Sequence, residues 1–193
     1  MTNLTVWNVV LAVVAGYLIG SFPTGVLVAR VLGAPDPRTT GSGHTGGSNL
    51  IRLAGWPAGI VTGAVDIGKG ALAVWLVLQV VSNPWVVALT GTAAVAGHCW
   101  PVFAHYRGGM GVATAAGLAL WLFPLAIPII GVFYYLLLKL LRHQARAAMV
   151  AAALIPLVLI ALKVDPPELA LGVGMSLVLV ARYASDFHRV YED

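Results

Sequence analysis

The sequence predicts an all-α polytopic membrane protein: a seven-helix transmembrane bundle with short re-entrant or interfacial loop helices. Three observations carry this. Hydrophobic residues make up 60% of the chain and charged residues only 9%, whereas an ordinary soluble domain is about 25% charged. Apolar runs of spanning length recur from end to end, and the basic residues fall almost entirely between alternate runs. A chain this poor in charge cannot coat a globule with polar groups. The balance excludes a soluble enzyme, a disordered segment and a basic nucleic-acid module, and makes lipid the main solvent.

A transmembrane helix needs about 17–25 largely apolar residues. The first candidate is Val6–Leu32, read as a retained helix because no small-residue cleavage site follows a short apolar core. The next are Gly59–Val81, Trp85–Phe103, Val112–Leu122, Leu125–Leu141, Met149–Leu162 and Leu169–Tyr183. The fourth is too short to cross straight. Pro124 and Pro128 blur its junction with the fifth, so six spans is the competing count. Arg30, Arg38, Arg52, Arg107, Lys139, Arg142, Arg146, Arg182 and Arg189 all lie at the ends of odd-numbered spans or after them, whereas Lys163 lies alone on the opposite side. Membrane proteins keep Lys and Arg on the cytoplasmic side, which predicts an outside N-terminus, an inside C-terminus and a plasma (inner) membrane protein with its active face cytoplasmic. The net charge of +4 then reflects topology. No repeat or linker divides the chain, so residues 1–193 are read as one domain. The single cysteine, Cys99, excludes an intrachain disulfide framework.

Three polar features need a chemical explanation. After the first span, Pro35 and Pro37 end the helix, and Gly41, Gly43, Gly46 and Gly47 let the backbone bend so that its N–H groups converge. Ser42, Thr45, Ser48 and Asn49 add donors. Ser48 or Asn49 is expected to cap a helix starting near Leu50, with Arg52 in its first turn. Backbone donors, a helix N-terminus and an Arg together make a phosphate cradle. The competing reading is a flexible connector. Gly41 to Gly46 is formally G-x-G-x-x-G, but it follows a membrane span instead of a strand. Gly47 stands where a nucleotide-hydrolysing loop needs Lys.

The second feature covers residues 97–114. His98 lies near the inside end of the third span, and Gly108, Gly109 and Gly111 precede the helix carrying Thr114. This is a second glycine turn at a helix N-terminus, with Arg107 beside it, on the same side as the first loop. Two anion-type sites on one face suit a reaction between two phosphorylated molecules. Alternatively, His98 is an interfacial cap. The third feature is Asp66 and Lys69 inside the second span. Ionisable residues there are costly and usually functional. Three apart, they share a face and can pair, either for chemistry or simply to tie the bundle together. The carboxylates are scattered and the cysteine is single, so no metal site and no cofactor is expected.

At these motifs the chain resembles the bacterial membrane acyl-phosphate:glycerol-3-phosphate acyltransferases, the PlsY family. The resemblance rests on Gly20-Ser-Phe-Pro-Thr-Gly25, Gly41-Ser-Gly43 through Arg52, Asp66-x-x-Lys69-Gly70, Gly97-His98-x-x-Pro101-Val-Phe103 and Gly108-Gly109-x-Gly111-Val-Ala-Thr114. It implies a seven-helix enzyme that transfers a fatty acyl group from acyl phosphate to the 1-hydroxyl of glycerol 3-phosphate, giving lysophosphatidic acid for phospholipid biosynthesis. Acyl phosphate, glycerol 3-phosphate and membrane lipid are then the implied partners, with no nucleic acid. It also implies that Ser42, Asn49 and Arg52 hold substrate phosphate and orient the hydroxyl. The Gly108–Gly111 backbone would hold the other phosphate or the oxyanion, and Lys69 and His98 would supply charge and hydrogen bonds. Ser42, Arg52, Lys69 and His98 are thus the candidate catalytic residues. Gly41, Gly43, His44, Gly46, Ser48, Asn49, Gly108, Gly109, Gly111 and Thr114 are the candidate substrate-binding ones.

The chain also departs from the family pattern. His44 stands for Asn, Gly47-Ser48 for Ala-Thr, and Met110 for a Lys that partners phosphate. Tyr183 and Asp186 stand for the His and Asn of a C-terminal signature. Loss of the Lys removes a positive charge, and Asp186 adds a negative one unless a cation pairs with it. A protonated His44 would partly replace the Lys. These changes leave two alternatives open: an enzyme acylating another acceptor, or a non-catalytic lipid-binding or transport-like membrane protein.

Overall fold

The computed structural model describes residues 5–189. The first apolar run is not one helix. It divides into α1 (Val6–Gly20) and α2 (Thr24–Val31), because Pro23 lacks the N–H that would continue the ladder. Thr5 caps α1, its hydroxyl accepting from the Asn8 N–H at 3.3 Å. A short α3 (Gly47–Ala54) follows the first loop, and Gly55 separates it from α4 (Trp56–Val80). Asn83 caps α5 (Pro84–Cys99), its amide oxygen accepting from the Trp85 N–H at 2.9 Å. Then come α6 (Val112–Leu122), α7 (Ala126–Leu141), α8 (Gln144–Ala153), α9 (Ile155–Ala161) and α10 (Pro166–Ala184).

Among the described residues, five stretches are long and apolar enough to cross a membrane: Val6–Val31, Trp56–Val80, Pro84–Ala104, Gln144–Ala161 and Pro166–Ala184. α6 and α7 are shorter apolar helices. All seven expected segments are therefore helical. At 1.5 Å per residue the 11 residues of α6 reach about 16 Å, roughly half the hydrocarbon thickness.

α5 is the central helix, packed against α1, α4 and α10, while α4 packs on α6 and α3. Val74, Val95, Leu118, Leu159, Leu171 and Met175 fill the main core. Trp7, Leu11, Leu120, Leu140, Leu157 and Leu177 point outward from the bundle, where only lipid suits them. Lipid tails are as apolar as leucine, so side-chain burial alone gives little drive for helices to associate there. Close backbone approach supplies dispersion contact instead. A Cβ on Gly20 would collide with the Ala94 carbonyl of α5, and one on Gly70 with the Thr114 carbonyl of α6. A separate small cluster of Ala29, Leu50 and Ala58 supports the first loop.

Candidate active site

The first loop is folded around Asn49. This side chain is 2% exposed. Its amide nitrogen donates to the carbonyls of Pro37 and Thr40, both at 3.1 Å, and of His44 at 2.9 Å. Two hydrogens serve three acceptors, so one is shared. Its amide oxygen accepts from the Ser42 N–H at 3.0 Å. Gly41, at φ +63°, passes so close that a Cβ there would strike this oxygen. One residue thus closes a turn of the chain that hydropathy alone leaves without shape. Asp36 and Arg38 brace the loop's entry through a 2.6 Å ion pair. The Arg38 guanidinium beside it lowers the Asp36 carboxyl to about 2.

The expected helix after this loop is displaced. It begins at Gly47, with Gly46 as its cap, and not near Leu50. Asn49 therefore lies inside the first turn with its amide turned back to the loop, and it does not cap. Arg52 falls in the last turn instead of the first, and is exposed, as is Ser48. The reason is that Gly47 accepts the tight approach to α4: a Cβ there would lie 2.7 Å from the Gly59 carbonyl.

The second glycine segment meets the first loop. The Thr45 N–H points at the Gly108 carbonyl at 3.5 Å. Arg182, near the end of α10, donates from Nε to the Gly109 carbonyl at 2.9 Å and from its terminal nitrogen to that of Gly108 at 3.2 Å. The same terminal nitrogen lies 3.0 Å from Nδ1 of His44. Nε2 of His44 lies 2.6 Å from Asp186. Both side chains of this last pair are almost fully buried.

His44 does not replace the missing Lys as a cation. A guanidinium has only donors, so Nδ1 must accept, and the ring is neutral with its proton on Nε2. Burial lowers its pKa in the same sense, against the pull of Asp186. The positive charge beside Met110 comes instead from Arg182, whose guanidinium grips the two peptide carbonyls just before it. The added carboxylate of Asp186 does have a partner, in His44.

Behind the second glycine segment lie three buried ionisable side chains. Lys69 Nζ is 2.8 Å from Asp66 Oδ1 and donates to the Phe22 carbonyl at 3.2 Å. Phe22 lies in the break between α1 and α2, so the broken helix leaves a carbonyl for the lysine to take. His98 Nδ1 faces the same carboxylate oxygen at 3.6 Å. Gly109 lies against the other edge of this ring, and a Cβ there would overlap Nε2. Gly111, at φ +85°, caps α6, whose first turn presents backbone N–H groups, and Thr114 sits fully buried in that turn.

Most sequence-selected residues therefore converge. One continuous set of contacts runs from Phe22 through Lys69, Asp66, His98, Gly109 and Arg182 to His44, and on through its carbonyl to Asn49 and Ser42. Arg52 and Ser48 flank it on the exposed face of α3. A cavity of about 400 Å³ opens beside the two loops, lined by Asp36, Arg38, Thr39, His105 and Arg107. Arg182 carries no sequence signal that marks it as a site residue. It lies at the end of a span where a basic residue is expected anyway, which masks it.

Fold and site together define a multi-pass membrane protein. It gathers buried ionisable side chains and two glycine-rich turns into one set of contacts within an apolar helical bundle. Residues 10–193 match the family model described as glycerol-3-phosphate acyltransferase, and the chain belongs to that family. It is 44% identical over 153 residues to a glycerol-3-phosphate acyltransferase of Pseudomonas paraeruginosa, covering 77% of each chain. It is 37% identical to one of Syntrophotalea carbinolica, covering 91% of this chain and 90% of the relative. Its fold is similar to a crystal structure of PlsY (YgiH), an integral membrane glycerol 3-phosphate acyltransferase, in the glycerol 3-phosphate form. That likeness has a TM-score of 0.81 and 27% identity, over 94% of this chain and 90% of the other. The protein is an acyltransferase.

Proposed function

We propose that this protein transfers a fatty acyl group from acyl phosphate to glycerol 3-phosphate, releasing phosphate and lysophosphatidic acid, at the cytoplasmic face of the cell's inner membrane. The observation that carries the reading is the junction of the two glycine segments through Arg182, in a chain of the glycerol-3-phosphate acyltransferase family. The basic loops support the cytoplasmic side. The two anion-type turns favour a donor and an acceptor that both carry phosphate.

The donor is a mixed anhydride with a good leaving group, so direct attack of the acceptor hydroxyl on the acyl carbonyl suffices. The C–O bond to phosphate breaks as the ester forms, and the hydroxyl proton leaves with the displaced phosphate. Positioning and charge neutralisation then carry most of the catalysis. In this reading Ser42 and Arg52 face the substrate phosphate from α3 and its loop, with Ser48 and the Gly46–Gly47 backbone. Asn49 keeps Gly41, Ser42 and Gly43 in shape. The first turn of α6, at Gly111 to Thr114, receives the second phosphate or the developing oxyanion. Lys69 and His98 act from behind, by neutralising Asp66 and by fixing the course of Gly108 and Gly109. The apolar helices sheathe the acyl chain.

The test is product formation by purified protein in detergent or liposomes. Lysophosphatidic acid should form from acyl phosphate and glycerol 3-phosphate, and Ser42→Ala or Arg52→Ala should each lower kcat/KM by about 100-fold, as expected for a lost charge-assisted contact in the transition state. Variants as active as the parent would remove those residues from the site.

A further inference from the structure

His44 joins parts of the chain that lie 138 and 142 positions away. Its side chain is 10% exposed and that of Asp186 5%. With Nδ1 accepting from Arg182, the Nε2–H donates to the carboxylate at 2.6 Å, a charge-assisted bond that fixes the ring's orientation. Arg182 in turn spans the Gly108 and Gly109 carbonyls. Carboxylate, imidazole, guanidinium and two glycine peptides thus form one line across the gap between the first loop and the second.

We propose that His44 and Asp186 are positioning residues of the acyl-transfer site: the neutral imidazole, oriented by Asp186, holds Arg182 across the Gly108–Gly109 peptides and so sets the spacing of the two glycine loops. The proposal rests on the acyltransferase reading above. It has a consequence in acid. A proton on Nδ1 turns the contact with Arg182 into donor against donor and sets two positive charges side by side, so the latch opens. The charged groups facing the ring are Arg182 from α10, Asp186 just beyond it, and Arg189, whose guanidinium lies beside Gly43. Burial, reinforced by the two arginines and opposed by Asp186, moves the imidazole below 6.5, so the latch is closed at neutral pH and opens only below that value.

The experiment compares pH profiles of kcat/KM for the parent, His44→Ala, His44→Asn, Asp186→Asn and the double variant His44→Asn/Asp186→Asn. Asparagine at position 44 sets an amide oxygen where Nδ1 stood. It therefore keeps an acceptor for Arg182 and does not titrate, while Asp186→Asn removes the charge the ring had partnered. His44→Ala should lose about tenfold or more, whereas the double variant should recover most of that loss near pH 8 and lack the parent's additional acid limb. Ionisation of the substrate phosphate contributes equally to both profiles and cancels in the comparison. A double variant falling by at least the product of its single-site losses, or one sharing the parent's entire acid limb, overturns the proposal. Nitrogen-15 spectra of histidine-labelled protein, assigned with His44→Asn, read the bridge without turnover. The expected signature at about pH 7.5 is an unprotonated Nδ1 and a protonated Nε2. A ring protonated on Nδ1 at that pH overturns the proposal. A chain with this signature that makes no lysophosphatidic acid would instead overturn the substrate reading alone.

Discussion

Replacing Asn49 by Ala removes the group around which the first loop is wound. Three carbonyls and one N–H lose their partner together. A net hydrogen bond contributes about 1 kcal/mol, and a group left buried without a partner costs about 1–3 kcal/mol. Gly41 and Thr39 are exposed, so water reaches part of the vacated space. Four such losses, discounted for that access, come to about 3–5 kcal/mol against the ordered loop. At about 1.4 kcal/mol per factor of ten, the population with Ser42 in place falls by about 100-fold or more. The loop rests on its own small cluster of Ala29, Leu50 and Ala58, apart from the main core. Helix content by circular dichroism should therefore stay at the parent's value while kcat/KM for lysophosphatidic acid formation drops by about 100-fold. Asn49→Asp, which turns lone pairs toward three carbonyl oxygens, should be at least as damaging. An Ala variant within about threefold of the parent would refute the idea that Asn49 organises the site.

Other expectations follow from the same geometry. Lys69→Met strands the Asp66 carboxylate in the bundle and should cost about 3–5 kcal/mol in unfolding measurements, whereas adding Asp66→Asn should recover most of that. Recovery of less than about a third would mean that the pair is not a self-contained neutral unit. Gly109→Ala drives a methyl into the His98 ring. It should lower kcat by about tenfold or more with intact expression, and His98→Ala/Gly109→Ala should be less than additive, as kcat of the four proteins will tell. The half-exposed Asp36–Arg38 pair contributes below about 1 kcal/mol. Because the Asp36 carboxyl is lowered from 3.8 to about 2, its small stabilisation is complete above 3.8 and is lost as pH falls through 2. Acid unfolding of Asp36→Asn should differ from the parent only there and above, by that amount.

The seven apolar segments were legible because hydropathy and basic bias are local properties of the sequence. The break at Pro23 was not, since the stretch on either side of it is apolar and the partners of the freed Phe22 carbonyl, the Thr24 N–H and the Lys69 ammonium 47 positions away, meet only in the folded chain. The two glycine turns were legible as turns. The start of α3 lies three residues before the expected one because Gly46 caps it, although Ser and Asn are the stronger capping residues. Asn49 is selected by sequence as a substrate contact, yet its visible hydrogen bonds organise the loop. His44 and Asp186 read separately as departures from a family pattern. That they face each other is a tertiary fact with no local trace, and so is the grip of Arg182 on Gly108 and Gly109.

The central claim is that two phosphorylated molecules meet at this junction. The most direct measurement is the joint yield of lysophosphatidic acid and inorganic phosphate when purified protein receives acyl phosphate, with and without glycerol 3-phosphate. Equal amounts of both products, each dependent on glycerol 3-phosphate, are predicted. Phosphate released without ester, or no turnover at any acyl length, would contradict the account.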